Sequence, residues 1–299
     1  MIQRVRSLLE MIRFSHTLFA LPFALLSAAL AWNEGWHSWP QFGLQLTGIL
    51  LCMVFARSTA MAFNRLADRD LDAGNPRTAR RHLVTGELSV AAVWTFTVLC
   101  ALGFVASASL FLLAEPPNPW PLYLSVPFLL FICGYSLTKR FTALCHFWLG
   151  ASLLLAPLGA WIAIRGLERL EVPFVLGAAV FFWVAGFDIL YACQDVDFDR
   201  QAKLHSVPAR LGVALSLRVA MLCHFLMLSM LLVLFWVAQP HLGAIYLVGL
   251  GLIAGLLAYE HWLVRPDDLS RVNQAFFQVN GVVSVGLFLL VLAQLWIGK

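Results

Sequence analysis

Charge is what this sequence has least of: 12% of its 299 residues are Asp, Glu, Lys or Arg, about half of the roughly 25% of a soluble globular domain. Beside 61% hydrophobic residues, that scarcity excludes a solvated globule. The apolar excess is too large for a core and has to face lipid. Paired thiols are also missing. Cys52, Cys100, Cys133, Cys145, Cys193 and Cys223 form no C-x-x-C, which argues against a zinc centre or a disulfide frame and leaves them as small apolar packers. No small-residue cleavage site follows the first apolar run, so that run is expected to be retained. Basic residues do not gather into a patch but sit in short loops between apolar runs, which argues against a nucleic-acid partner.

What is there in quantity is long apolar runs. Nine reach or approach the ~20 residues a helix needs to cross the hydrocarbon: 14–32, 42–63, 90–114, 123–137, 145–164, 172–191, 217–237, 243–262 and 276–297. Only helices or closed barrels satisfy the backbone in lipid, and runs this unalternating are helices. The expected fold is therefore an all-α integral membrane bundle of about nine spans forming one domain, 1–299. The fourth span is the weakest, since it follows Pro116, Pro117, Pro119 and Pro121 and contains Pro127. One set of loops carries Arg4, Arg6, Arg13, Arg65, Arg69, Arg77, Arg80, Arg81, Lys139, Arg140, Arg200, Lys203, Arg210, Arg218, Arg265 and Arg271. The other has only Arg165, Arg169 and Lys299. Positive loops stay inside, so the N-terminus is expected in the cytoplasm, with Trp32, Trp36, Trp39 and Trp120 as anchors at the outer interface.

The acidic residues are concentrated. Asn64, Asp68 and Asp72 recur every fourth residue, and so do Tyr191, Asp195 and Asp199. On an α-helix each set forms a stripe on one face. Like charges at that spacing repel, so something cationic should offset them. Mg²⁺ accepts a few carboxylates while keeping places for water and phosphate oxygens, and two facing stripes could hold two such ions around one diphosphate. Asp70 and Asp197 lie off the stripes. The two stretches also echo each other, as two four-helix halves plus one extra span would produce.

Two charges lie deeper. Asp188 stands nearly two turns into an apolar helix, where a carboxylate costs roughly 2.5–3.5 kcal/mol and should face a polar cavity. Arg57 lies two turns from Asn64 on the same face, with two anions open to it: Asp188, or the carboxylate of an aromatic acid. Arg77 and Arg81 follow the first stripe through Asn75-Pro76-Arg77-Thr78. With Lys139, Arg140 and Lys203 they share one surface, where Arg binds phosphate as a planar fork and Lys as a point charge.

Asn64-x-x-x-Asp68-x-x-x-Asp72, followed by Asn75-Pro76-Arg77-Thr78-x-x-Arg81, resembles the first aspartate-rich motif of the UbiA superfamily of intramembrane prenyltransferases. Asp188-x-x-Tyr191-x-x-x-Asp195-x-x-x-Asp199 resembles the second, and Tyr135-Ser136-x-x-Lys139-Arg140 the basic segment after the fourth helix. The opening at 13–22 resembles the first helix of the 4-hydroxybenzoate polyprenyltransferase branch. The resemblance implies a nine-helix bundle around a central cavity in a bacterial-type inner membrane, its active site facing the cytoplasm. It also implies Mg²⁺ served by Asn64, Asp68, Asp72, Asp195 and Asp199, and a polyprenyl diphosphate held by Arg77, Arg81, Lys139, Arg140 and Lys203. Arg57 and Tyr135 are the candidates for the aromatic acceptor. Asp188, Tyr191 and Asp195 are the candidates for catalysis, with Asp188 or Asp195 as the base. Arg65 departs from the pattern of members that carry Asp directly after the Asn. It resembles the branch that includes the futalosine-route menaquinone enzymes, which leaves a dihydroxynaphthoate-type acceptor open. A secondary transporter is the non-enzyme alternative; it would favour ionisable groups and broken helices at the midplane.

Overall fold

The computed structural model describes residues 7, 8, 10–12, 20–35 and 38–297. Expectations placed on Arg4, Arg6, Arg13, the opening motif up to Phe19, Trp36 and Lys299 lie outside the described residues. The described chain is helical throughout: α1 (Leu21–Asn33), α2 (Trp39–Ala67), α3 (Arg69–Gly74), α4 (Val90–Ser109), α5 (Trp120–Thr138), α6 (Cys145–Arg165), α7 (Glu171–Ala192), α8 (Val196–Gln201), α9 (Val207–Leu211), α10 (Val213–Val237), α11 (Ala244–Leu263), α12 (Val272–Gln274) and α13 (Asn280–Ile297). Two 3₁₀ turns, Leu110–Leu113 and Cys193–Asp195, and a π-helical turn, Ala275–Val279, interrupt the series.

Eight of these stretches are long and apolar enough to cross a bilayer among the described residues. The expected first span appears as α1, 13 residues with Pro22 in its first turn. The fourth span is not interrupted. Its prolines act at the start, where Asn118 Oδ1 accepts the Trp120 N–H at 3.2 Å and Pro121 occupies a position whose N–H needs no partner. The helix then runs on through Pro127. The six cysteines are free and buried or half-buried.

The chain divides into two compact units. One is built from Trp39–Leu137 with the described residues near the start of the chain. Here α2 packs along α4, and Met11, Ile12, Ala62, Leu83, Leu88 and Val93 form a small core at one end. The other unit holds α1 and everything from Thr138 onward. Its centre is α7, packed between α6 and α10. Of the residues in the apolar window of this span 67% are buried, against 39% or fewer in the other seven. A helix apolar on every side belongs inside, and α7 is therefore the scaffold on which the second acidic motif ends. Small residues let its neighbours close in. A Cβ at Gly150 would stand 2.4 Å from the Phe181 carbonyl oxygen, and one at Gly186 would stand 2.5 Å from the His224 ring. At one end of this unit Arg169 meets Glu34 at 2.6 Å and Glu171 at 3.1 Å, and Arg165 meets Glu168 at 3.2 Å.

Candidate functional site

The first acidic motif lies where α2 gives way to α3. Backbone bonds continue across the junction, from the Asp68 N–H to the Asn64 carbonyl at 2.9 Å and from the Asp72 N–H to the Asp68 carbonyl at 2.7 Å. The stripe therefore survives. Asp68 and Asp72 are buried and the off-stripe Asp70 is exposed. Asn64 Nδ2 donates to Asp68 Oδ2 at 3.0 Å, while Asn64 Oδ1 accepts from Arg65 at 3.2 Å. Arg65 itself corrects the sequence reading. Expected in a solvated basic loop, it is buried, with Nε donating to the Met11 carbonyl at 3.4 Å. It thereby orients the amide that touches Asp68.

Asn75-Pro76-Arg77-Thr78 owes its composition to a turn. Asn75 Oδ1 accepts the Arg77 N–H at 2.9 Å, and the Thr78 hydroxyl donates to the Asp72 carbonyl at 3.1 Å. This folds the chain back so that Arg81 ion-pairs with Asp72. The cation expected to offset the stripe is, in part, Arg81. Arg77 stands exposed beside it. Arg57 lies half-buried along α2, and its Nε has no hydrogen-bond partner among the described residues. Tyr135 lies half-buried on α5 in the same unit.

In the second motif α7 ends in the 3₁₀ turn Cys193–Asp195 before α8 begins. A 3₁₀ turn winds more tightly than an α-helix, so Tyr191, Asp195 and Asp199 do not form the continuous α-helical stripe expected from their spacing. The two motifs share a sharper feature. Asp68 has φ −95°, ψ 6° and Asp195 has φ −103°, ψ 6°; each is the residue at which a long helix breaks, and each is followed by a helix of six residues. That sparsely allowed backbone region is common at active sites. Asp197 is exposed, as Asp70 is.

The segment after α8 ties this motif together. The Lys203 N–H reaches the Arg200 carbonyl at 3.2 Å and the Leu204 N–H reaches the Asp199 carbonyl at 2.8 Å, a Schellman cap with Lys203 in the left-handed position at φ 55°. Glycine is usual there, because a side chain costs about 1–2 kcal/mol. Lys203→Gly is accordingly expected to stabilise the protein by up to about 1 kcal/mol while raising the KM for the donor. Thermal melting and donor kinetics on one preparation check both, and an unchanged donor KM would remove Lys203 from the diphosphate site. Ser206 Oγ donates to Asp199 Oδ2 at 2.7 Å and accepts the Ala209 N–H at 3.2 Å as the N-cap of α9. The His205 N–H donates to the Lys139 carbonyl at 2.7 Å, which places half-buried Lys139 and exposed Arg140 beside the acidic turn.

One residue was missed from the sequence. Asp188 accepts a hydrogen bond from Nδ1 of His146 at 2.7 Å, so a partner within its own unit accounts for its charge. The signal was a histidine at the start of an otherwise apolar span, 42 positions away. Tyr191 packs its ring on Phe276 at 4.4 Å between centroids and near Phe277 at 6.3 Å.

No three His, Cys, Asp or Glu side chains converge into a metal cage among the described residues. Mg²⁺ does not require one. It binds through one or two carboxylates and keeps waters or substrate phosphates in its other positions. The donors present are the hard oxygens of Asn64, Asp68 and Asp72 and of Asp195 and Asp199, which fit that ion.

The chain matches the UbiA prenyltransferase family over residues 20–282. It is 32% identical over 261 residues to a 4-hydroxybenzoate octaprenyltransferase of Tolumonas auensis, covering 85% of this chain and 87% of that one. It is also 32% identical over 229 residues to the protein of that name from Azoarcus sp., covering 76% of each. Among solved structures, an apo UbiA homologue from Aeropyrum pernix K1 superposes with a TM-score of 0.78 at 28% identity, covering 95% of this chain and 98% of that one. A UbiA homologue from Archaeoglobus fulgidus bound to DMAPP and Mg²⁺ superposes at 0.69 and 21% identity, covering 97% and 99%.

Proposed function

Because this chain belongs to the UbiA prenyltransferase family, we propose that it is a Mg²⁺-dependent enzyme that transfers a polyprenyl group from its diphosphate to an aromatic acid, 4-hydroxybenzoate, in quinone biosynthesis. The observation that carries the reading is the twin acidic motif, each broken at its middle aspartate with the same backbone geometry. Relatives named 4-hydroxybenzoate octaprenyltransferases supply the acceptor. A dihydroxynaphthoate-type acceptor is the second reading, favoured by Arg65 at the position after Asn64. The two units work as one domain, 1–299, in a bacterial inner membrane with the acidic motifs at the cytoplasmic face. The loops that carry Arg77, Arg80, Arg81, Lys139, Arg140, Arg200 and Lys203, against Arg165 and Arg169 on the other side, support that orientation.

Asn64, Asp68 and Asp72, with Asp195 and Asp199, would hold Mg²⁺, which when bound supplies Lewis-acid polarisation and charge neutralisation for the leaving diphosphate. Arg77, Arg81, Lys139, Arg140 and Lys203 bind the diphosphate oxygens and draw charge onto them as the allylic C–O bond breaks. Arg81 gives up part of its pairing with Asp72 to do so. The apolar helix walls keep water from the allylic cation. Arg57 and Tyr135 receive the acceptor, the half-buried guanidinium meeting its carboxylate. The ring carbon ortho to the hydroxyl attacks, and Asp188 or Asp195 takes the ring proton. Tyr191, walled by Phe276, orients the reacting groups. The test offers the purified protein 4-hydroxybenzoate and dihydroxynaphthoates with one labelled prenyl diphosphate. Product from 4-hydroxybenzoate upholds the reading; product from a dihydroxynaphthoate alone replaces it with the second.

A further inference from the structure

His146 is buried on α6, and both of its ring nitrogens are engaged. Nε2 accepts the backbone N–H of Val207 at 3.3 Å. A ring nitrogen that accepts an N–H carries a lone pair, so in neutral imidazole the proton sits on Nδ1. Nδ1 lies 2.7 Å from Asp188 Oδ2. The peptide at Val207 therefore sets the tautomer that donates to Asp188. That peptide is itself held on both sides. Ser206 bonds Asp199 and caps α9, the His205 N–H bonds the Lys139 carbonyl, and the His205 carbonyl accepts from Cys145 Sγ at 3.5 Å. The imidazole cannot turn without breaking a bond at each end. The Asp188 side chain keeps 19% of its surface accessible while His146 keeps 4%, so the carboxylate is held through Oδ2 without being sealed off.

We propose that His146 is the positioning residue for Asp188, pinning one carboxylate oxygen so that the other receives the ring proton released during prenyl transfer. This rests on the prenyl-transfer reading and chooses between its two candidate bases. Asp195 is assigned to a dication, whose charge opposes protonation of its ligands; Asp188 lies outside the residues assigned to the metal and meets a ring nitrogen of His146 instead. In the step, the allylic C–O bond breaks with its electron pair leaving on the diphosphate, and the ring carbon forms the new C–C bond. The ring C–H bond then breaks, its electrons restore aromaticity, and the proton goes to Asp188 Oδ1. His146 keeps its own proton throughout, because Nε2 is occupied.

The test uses full-length protein, 4-hydroxybenzoate deuterated ortho to the hydroxyl, and two variants. With wild-type protein the deuterated and ordinary acceptors are expected to turn over equally, since C–O ionisation limits the rate. His146→Leu is expected to lower kcat about 100-fold, with both KM values within about twofold, and to expose an isotope effect above about 2 as proton removal becomes limiting. His146→Asn, whose amide nitrogen stands where Nδ1 stands, is expected to recover most of kcat and lose most of the isotope effect. A His146→Leu enzyme as fast as wild type, or slow without an isotope effect, or not rescued by Asn, overturns the assignment. Should His146→Leu not yield folded protein, Asp188→Asn takes its place: the isotope effect is again expected, and its absence overturns the assignment. Absence of product from wild-type protein overturns instead the functional reading on which it rests.

Discussion

Asp68→Ala and Asp195→Ala are each expected to lower turnover at least ~10³-fold, at the upper end of what losing one charge-stabilising group costs an active site, while leaving the protein inserted and folded. Asp68 is buried at a helix break and bonded to Asn64. Asp195 occupies the same backbone geometry at the second break. Removing either takes away a hard oxygen donor that Mg²⁺ would use. Asp70→Ala and Asp197→Ala are the controls. Each removes the same charge two residues away, from an exposed side chain, and should leave turnover within about threefold, the scale of a screened surface charge. Steady-state kinetics on the four variants decides the matter, and equal losses in all four would show that the motifs act through net charge alone.

Asn280→Leu is expected to lower stability by about 2–4 kcal/mol. Asn280 is fully buried in the second unit, between fully buried Trp183 and Glu260. Its Oδ1 accepts from Trp183 Nε1 at 2.7 Å, and its Nδ2 donates to Glu260 Oε1 at 2.7 Å and to the Ala275 carbonyl at 3.3 Å. The last bond braces the start of the π-helical turn Ala275–Val279, where that carbonyl lies. Membrane interhelical hydrogen bonds average only about 0.6 kcal/mol, so one lost bond would not suffice. Leucine instead removes the amide from three buried polar partners at once, one of them a carboxyl group. Because the π-helical turn carries Phe276 and Phe277 against Tyr191, turnover should fall along with thermal stability. A variant that melts like the wild type would remove the network from any structural role.

What the sequence made legible follows from which physical signals are local. Span edges such as 145–164 against Cys145–Arg165 came through because hydropathy is summed over one continuous run. The separation of Asp68 and Asp72 from Asp70 came through because backbone bonding stays helical across that junction. At Tyr191, Asp195 and Asp199 the separation from exposed Asp197 also holds, but the winding changes. A 3₁₀ turn changes the winding but not the composition, and nothing in Cys193-Gln194-Asp195 announces it. Arg65 was misplaced because positive charge at a helix end reads as solvated, whereas its partner, the Met11 carbonyl, lies 54 positions earlier. His146 with Asp188, and Trp183 with Asn280 and Glu260, were invisible for the same reason. Each pairs groups far apart in the chain, and a lone polar residue in an apolar run does not name its partner. Glu260 and Asn280 could at least have been marked, since an ionisable or amide side chain inside a span has to find one.

Metal-assisted prenyl transfer is open to one direct measurement. Purified protein in liposomes receives a polyprenyl diphosphate labelled in the prenyl chain, with 4-hydroxybenzoate and Mg²⁺, and both carbon-linked product and free diphosphate are counted. Equimolar product and diphosphate, both abolished by EDTA and restored by added Mg²⁺, are the predicted result. Labelled diphosphate that crosses the bilayer intact without release, or product formed equally well in EDTA, would contradict it.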